Sequence, residues 1–120
     1  MSNHFISLAD ARTMTTLYLS KKEDILDPQY RGQDILLNSE QFDRDGFDVI
    51  LGRSAAKGLR FYLGMDPSLQ VRIIAVATDE NGMDILPPEG TAANPAGGGY
   101  LLEYGIKCPP TCPPPPGGLE

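Results

Sequence analysis

The chain is poor in the residues from which enzyme centres are commonly built. It has one histidine, His4, and two cysteines, Cys108 and Cys112, in 120 residues. His4 falls where a chain end is expected to fray, so an inert imidazole is the plain expectation. No Gly-x-Ser-x-Gly elbow, Walker loop, dinucleotide fingerprint or His-Glu-x-x-His pair is present. Paired carboxylates such as Asp43 and Asp48 are expected on a solvated helix face rather than in a pocket. These absences weigh against an enzyme.

Basic clusters are missing too. The net charge is −6, and no basic run exceeds Lys21-Lys22. Phosphate binding by counterion release needs several Lys or Arg on one face, which argues against nucleic acid as a partner. An anionic membrane surface is disfavoured for the same reason. The longest strongly apolar run, residues 73–77, is five residues, against about 20 for a spanning helix. Residues 1–5 have neither the basic region nor the apolar stretch of a signal peptide. The expectation is a cytoplasmic protein in a reducing compartment. Leu119-Glu120 reads as a cloning remnant and is set aside.

What is present is unevenly spread. Nine of the 11 prolines and seven of the 13 glycines lie in residues 87–120. The expected organisation is a folded body over residues 1–88 and a flexible Gly/Pro linker at 89–99. A possible extra strand at 100–105 and a Pro/Cys-rich tail at 106–118 follow. A body of this size buries only about 60–65% of its chain surface, so its core is small.

Two periodicities divide the body. Ser7 with Asp10 forms an acidic variant of the capping box, and Leu8, Ala11, Met14 with Thr15, and Tyr18 follow at helical spacing. Ser20 with Glu23 predicts a second short helix, ending near Asp27 because Pro28 lacks a backbone donor. Residues 34–37 read as a short extended or buried connector, with joining the sheet as the alternative. Asn38 or Ser39 is expected to cap a third helix carrying Phe42, Gly46, Val49 and Ile50. From Gly58 the period becomes two. Leu59, Phe61 and Leu63 alternate with Arg60 and Tyr62. A turn at 64–68 precedes a strand at 71–78 that is apolar on both faces and therefore central. Asn81-Gly82 marks a hairpin, with a return strand at 83–86 stopped by Pro87. The fold class is α+β: two or three N-terminal helices packed on a small antiparallel β-meander, with a mobile C-terminal tail.

Cys108 and Cys112 are the most distinctive feature. Their Cys-x-x-x-Cys spacing is not that of redox Cys-x-x-Cys motifs or zinc knuckles. An extended polyproline stretch would hold their Cα atoms about 12 Å apart, whereas a disulfide needs about 7 Å or less. Only a turn or a cis proline would let them bond. As metal ligands the two thiolates supply half of a tetrahedral zinc site, and the rest would come from a second chain. Ordinary unpaired thiols in a tail are the leading reading.

The tail also holds Pro109, Pro110, Pro113 and Pro114. Pro110 and Pro113 make a P-x-x-P arrangement that an aromatic-lined groove could receive; an inert solvated terminus is the plainer reading. Two acidic stretches imitate calcium loops. With Gly46 or Gly82 as the sixth loop residue, the first and twelfth are Gln41 and Gly52, or Ala77 and Pro88, so the key ligands are missing. Arg60, Tyr62, Asp66 and Arg72 are the residues for a ligand pocket between helices and sheet. Arg60, Tyr62 and Arg72 share a sheet face in one register.

The run Leu63-Gly64-Met65-Asp66, the strand at 71–76 and the Cys-Pro-Pro-Thr-Cys-Pro-Pro tail together resemble a group of small uncharacterised Bacteroidetes proteins. The resemblance runs from about Phe5 to Pro114. It implies a bacterial cytoplasmic setting and carries no activity, cofactor or site residue. The leading expectation is a non-enzymatic interaction module, meeting a protein partner through the tail or an exposed sheet edge. A thiol device built on Cys108 and Cys112 is the alternative, and a small-molecule binder or enzyme the second.

Overall fold

The structure is a computed structural model that describes residues 4–87, 101–102, 105–114 and 118–119. The chain is α+β, with elements α1 (Leu8–Lys21), a 3-10 turn (Pro28–Tyr30), β1 (Ser39–Gln41), α2 (Arg44–Leu51), β2 (Gly58–Met65), β3 (Val71–Thr78), β4 (Leu101–Leu102) and β5 (Ile106–Cys108). It divides into two compact units. One holds Met1–Ser39 with Lys107–Glu120, the other Glu40–Ile106. β1 and β5 pair as a two-stranded sheet.

In the first unit, α1 begins where the sequence places it. Ser7 is the N-cap, and its hydroxyl accepts from the Asp10 N–H at 3.0 Å. The covered face matches the expected stripe only in part. Ala11, Thr15 and Leu19 are partly covered, whereas Leu8 and Met14 are exposed. Polar anchors fix the helix end. Tyr18 donates its hydroxyl to the Leu37 carbonyl (2.5 Å), and the Lys22 ammonium bonds the Leu36 carbonyl (2.9 Å) and the Asn38 Oδ1 (2.5 Å). Partial burial and then the Glu23 carboxylate hold the Tyr18 phenol above the usual tyrosine range.

The second Ser-x-x-Glu box does not start a helix. Ser20 donates to the Leu17 carbonyl within α1, and the Glu23 carboxylate accepts from the Gly32 N–H. With both groups engaged elsewhere, the chain turns, and helical structure resumes only at Pro28, capped by Asp27. Residues 34–37 connect without joining either sheet, with Ile35 buried. Asn38 and Ser39 cap nothing. The Asn38 N–H donates to the Cys108 carbonyl (2.8 Å), and residues 39–41 are strand. The next helix, α2, therefore starts five residues later than Ser39, at Arg44, with Asp43 as N-cap.

In the second unit, β3 is central, as its two apolar faces predict: the strand order is β2-β3-β4. β2 and β3 are antiparallel over their full lengths, from Gly58 opposite Thr78 to Met65 opposite Val71. The expected return strand at 83–86 is reduced to one bridge, Thr78 opposite Asp84. The same edge of β3 is taken further along by β4, with Leu101 opposite Val76 and Leu102 opposite Ala75. Of the possible extra strand, Tyr100, Glu103 and Tyr104 lie outside the described residues, as does the linker at 89–99. α2 packs on the odd-numbered face. Ile50, Ala75 and Ala77 are buried together, with Phe47, Ala56, Leu59 and Ile85 against them. The two alanines let the helix approach the sheet closely. Phe47 continues the contact toward Phe42 and Phe61, at ring separations of 5.8 and 6.3 Å.

The loops at each end of β3 are built alike. In one, Asp66 Oδ1 accepts from the N–H groups of Ser68 and Gln70. In the other, Asp79 Oδ1 accepts from Asn81 and Met83. Each is an aspartate turn in which the side chain replaces main-chain partners. In each the fourth residue is left-handed: Leu69 at φ +68° and Gly82 at φ +78°. Glycine takes that conformation without steric cost, and leucine does not. Leu69→Gly is therefore expected to raise stability by about 0.5–1 kcal/mol after the added chain entropy of glycine. Gly82→Leu should lower it. Urea midpoints of the two variants check the paired signs.

Candidate functional site

The register brings the sequence-nominated residues to one face of the sheet. Arg60, Tyr62 and Gly64 lie opposite Val76, Ile74 and Arg72. Paired residues of an antiparallel ladder share a face, so Arg60, Tyr62 and Arg72 are together on the even-numbered side. They nonetheless divide into two clusters, each with a partner that sequence reasoning missed.

The first cluster forms about Asp84. Its Oδ1 accepts from Arg60 Nη1 at 2.5 Å, its Oδ2 accepts from the Tyr62 hydroxyl, and Arg60 Nη2 reaches the Gly82 carbonyl at 3.0 Å. Hydrogen bonding with Tyr62, then the charge of Asp84, raises the already high pKa of Arg60. This guanidinium is a fixed cation that holds the hairpin and has no proton to exchange near neutral pH. Alternation in residues 83–86 was the available signal for Asp84, since it places residue 84 on the opposite side from Ile85.

The second cluster forms about Arg72. Its Nη2 bonds Glu40 Oε2 at 2.7 Å and the Gly105 carbonyl at 3.2 Å, and its Nη1 lies 3.7 Å from Asp66 Oδ2. The Glu40 side chain is 1% exposed and that of Arg72 12%. Glu40 Oε1 also accepts from the Ile73 N–H at 3.0 Å. A Cβ on Gly105 would sit 2.7 Å from Glu40 Cγ and 2.8 Å from the Gln41 carbonyl, so only glycine fits there. Ser39-Glu40-Gln41 reads as an ordinary polar segment, and no spacing in the sequence marks Glu40 for burial. Both clusters close internal charges, and the four nominated residues do not converge on one reacting centre.

Cys108 and Cys112 are joined by a disulfide, with Cα atoms 4.7 Å apart. The Cys108–Pro109 and Pro109–Pro110 bonds are cis, and the Thr111 N–H donates to the Lys107 carbonyl. The leading expectation of unpaired thiols is thereby corrected: of the three readings the spacing left open, the bonded pair in a turn is the one present. Cys108 is buried and Cys112 exposed. Polyproline geometry would spread these Cα atoms to about 12 Å, so the stretch through Pro109 and Pro110 is not an extended docking helix. Pro113 and Pro114 lie beyond the ring and are exposed. Among the described residues no three His, Cys, Asp or Glu side chains group as a metal site, and no described helix is long and apolar enough to cross a membrane.

The remaining feature is an edge. Among the described residues β2 pairs on one side only. The Ile85 N–H donates to the Ala77 carbonyl, which turns the polar groups of the odd residues of β3 away from β2. Alternation then aims its even residues at β2, opposite Gly58, Arg60, Tyr62 and Gly64. The N–H and C=O groups of Leu59, Phe61, Leu63 and Met65 consequently point out of the sheet edge. On the face these residues share, α2 covers only one end. Phe61, Leu63 and Met65 remain 53%, 78% and 60% exposed.

No family model matches the chain, and no curated protein or solved structure is significantly similar to it.

The Glu40–Arg72 pair has the character of a buried ion pair, in which removing one partner strands the other. Glu40→Ala is expected to destabilise the protein by about 3 kcal/mol or more. Urea unfolding followed on the β2–β3 unit measures the loss, and a change below about 0.5 kcal/mol would show that solvent already compensates the guanidinium.

Proposed function

We propose that this chain is a non-enzymatic protein-interaction module that receives a partner strand on the outer edge of β2. The observation that carries the reading is the combination on this edge. Four residues offer outward main-chain donors and acceptors, and three of them also expose large apolar side chains. Natural edge strands are usually shielded by lysine, proline, a bulge or an inward charge. β2 has no lysine or proline and keeps full register with β3, and its one charge, Arg60, lies on the other face against Asp84. Strand addition uses what such an edge supplies: main-chain bonds for affinity and alternate side chains for specificity.

Hydrogen exchange tests the reading in dilute solution. The amides of Leu59, Phe61, Leu63 and Met65 are expected to exchange fast while those of Arg60, Tyr62 and Gly64 are protected. Protection of the outward set in the dilute chain would mean that the edge is already covered, and would overturn the reading.

A second reading, a thiol device, is favoured by the exposure of Cys112 beside buried Cys108. An external dithiol would attack Cys112 Sγ through its thiolate and release Cys108 as thiolate. The second thiol of the reductant would then resolve the mixed disulfide, leaving two cysteine thiols and one oxidised dithiol. A zinc site shared between chains would require this reduced form, because a disulfide sulfur is not a thiolate ligand. Maleimide labelling is expected to rise from none to two after dithiol treatment. Two labels on the untreated native chain would exclude the disulfide cycle.

A further inference from the structure

We infer that the partner strand received by β2 is β2 of a second copy, paired antiparallel about a two-fold axis through Tyr62. The inference rests on the reading of β2 as an interaction edge and goes beyond it by fixing the occupant and the register.

The register follows from the strand itself. A two-fold axis perpendicular to the sheet pairs residues of like parity, because opposite residues must share a face. Only odd residues have outward polar groups, so the hydrogen-bonded pairs must be odd with odd. Centring on Tyr62 pairs Leu59 with Met65 of the second copy, and Phe61 with Leu63 of the second copy. The symmetry repeats both pairs. All four outward residues of each strand are then used, giving eight main-chain bonds. Centring on Phe61 instead leaves Met65 facing residue 57, outside the strand, and the four-pair register is lost.

Side chains agree with this arrangement on both faces. On the odd face, Phe61 meets Leu63 and Leu59 meets Met65, so the exposed stripes of the two copies become one apolar surface with aromatic–aliphatic cross-strand pairs. On the even face Arg60 lies opposite Gly64 of the second copy, and Gly58 opposite Asp66. The two Arg60 positions are four residues apart along the ladder, about 13 Å, and each guanidinium already carries its own Asp84. No like charges meet. The two Tyr62 rings stand opposite each other at a non-hydrogen-bonded site, the class with the closer Cα spacing, about 4.5 Å.

Eight hydrogen bonds fall within the roughly 10 ± 5 of specific interfaces, and at one per about 100–200 Å² they correspond to about 800–1,600 Å² of buried surface. That spans the threshold of about 1,000 Å² for a specific complex. The product is a continuous six-stranded sheet whose two α2 helices lie on the same face.

Light scattering from about 1 μM to about 1 mM should show a monomer passing to a dimer. The outward amides of β2 should become protected in step. The full-length variants Phe61→Cys, Tyr62→Cys and Leu63→Cys then read the register. Under mild oxidation only Tyr62→Cys is expected to cross-link to itself, since its paired Cα spacing suits a disulfide. Leu63 is largely exposed in the single chain, so Leu63→Lys should leave folding intact. It should weaken dimerisation about a hundredfold, because each copy loses one leucine contact. A monomer at every concentration with outward amides still exchanging fast would overturn self-pairing and leave the edge reading standing. Outward amides protected in the dilute monomer would overturn both. Preferential cross-linking through Phe61→Cys would overturn the Tyr62-centred register.

Discussion

The unit of residues 40–106 depends on one constraint: β3 must be covered on both faces and paired on both edges. Its run of Ile73, Ile74, Ala75, Val76 and Ala77 leaves no polar face to turn to water. β2 satisfies one edge, and the other is shared between the Asp84 bridge and β4. α2 is only eight residues long and reaches the sheet where two alanines admit it. A helix of that length cannot cover an eight-residue strand pair, because a helical residue advances about 1.5 Å against about 3.3 Å in a strand. The bare stripe on β2 is thus a consequence of element lengths.

Polar groups complete what the small apolar core leaves undone. Arg72 enters the sheet from an even position and is neutralised by Glu40, whose other oxygen holds the Ile73 amide. Arg60 and Asp84 tie the hairpin loop back across β2 and β3. These bonds position strands, and their charges are spent on one another. That is why residues that looked suited to a ligand pocket form braces instead.

Much of the local structure was legible because it is governed by short-range chemistry. Ser7 and Asp10 announced α1, the change of period at Gly58 located the start of β2, though the strand runs two residues into the expected turn, to Met65, and Asn81-Gly82 marked the turn after β3. The shared face of Arg60, Tyr62 and Arg72 followed from parity once the register was known. What failed depended on distant partners. Asn38 could have capped a helix, but the Cys108 carbonyl, 70 residues away, holds its N–H. Glu23 fits a capping box, yet its carboxylate serves Gly32. The return strand after Gly82 had the right alternation but competes with β4 for one edge. Glu40 gave no signal of its own because its burial is decided by the arginine it meets, and the alternation at 83–86 gave Asp84 a side but not its partners.

Gly105 makes the buried ion pair a three-residue unit. Its missing side chain makes room for Glu40, and its carbonyl receives Arg72. A larger residue at 105 would displace the carboxylate, and a neutral residue at 40 would strand the guanidinium. The three positions are therefore coupled in their tolerance: a substitution at one fits only where the others change with it. Three residues far apart in sequence act as a single mechanical part.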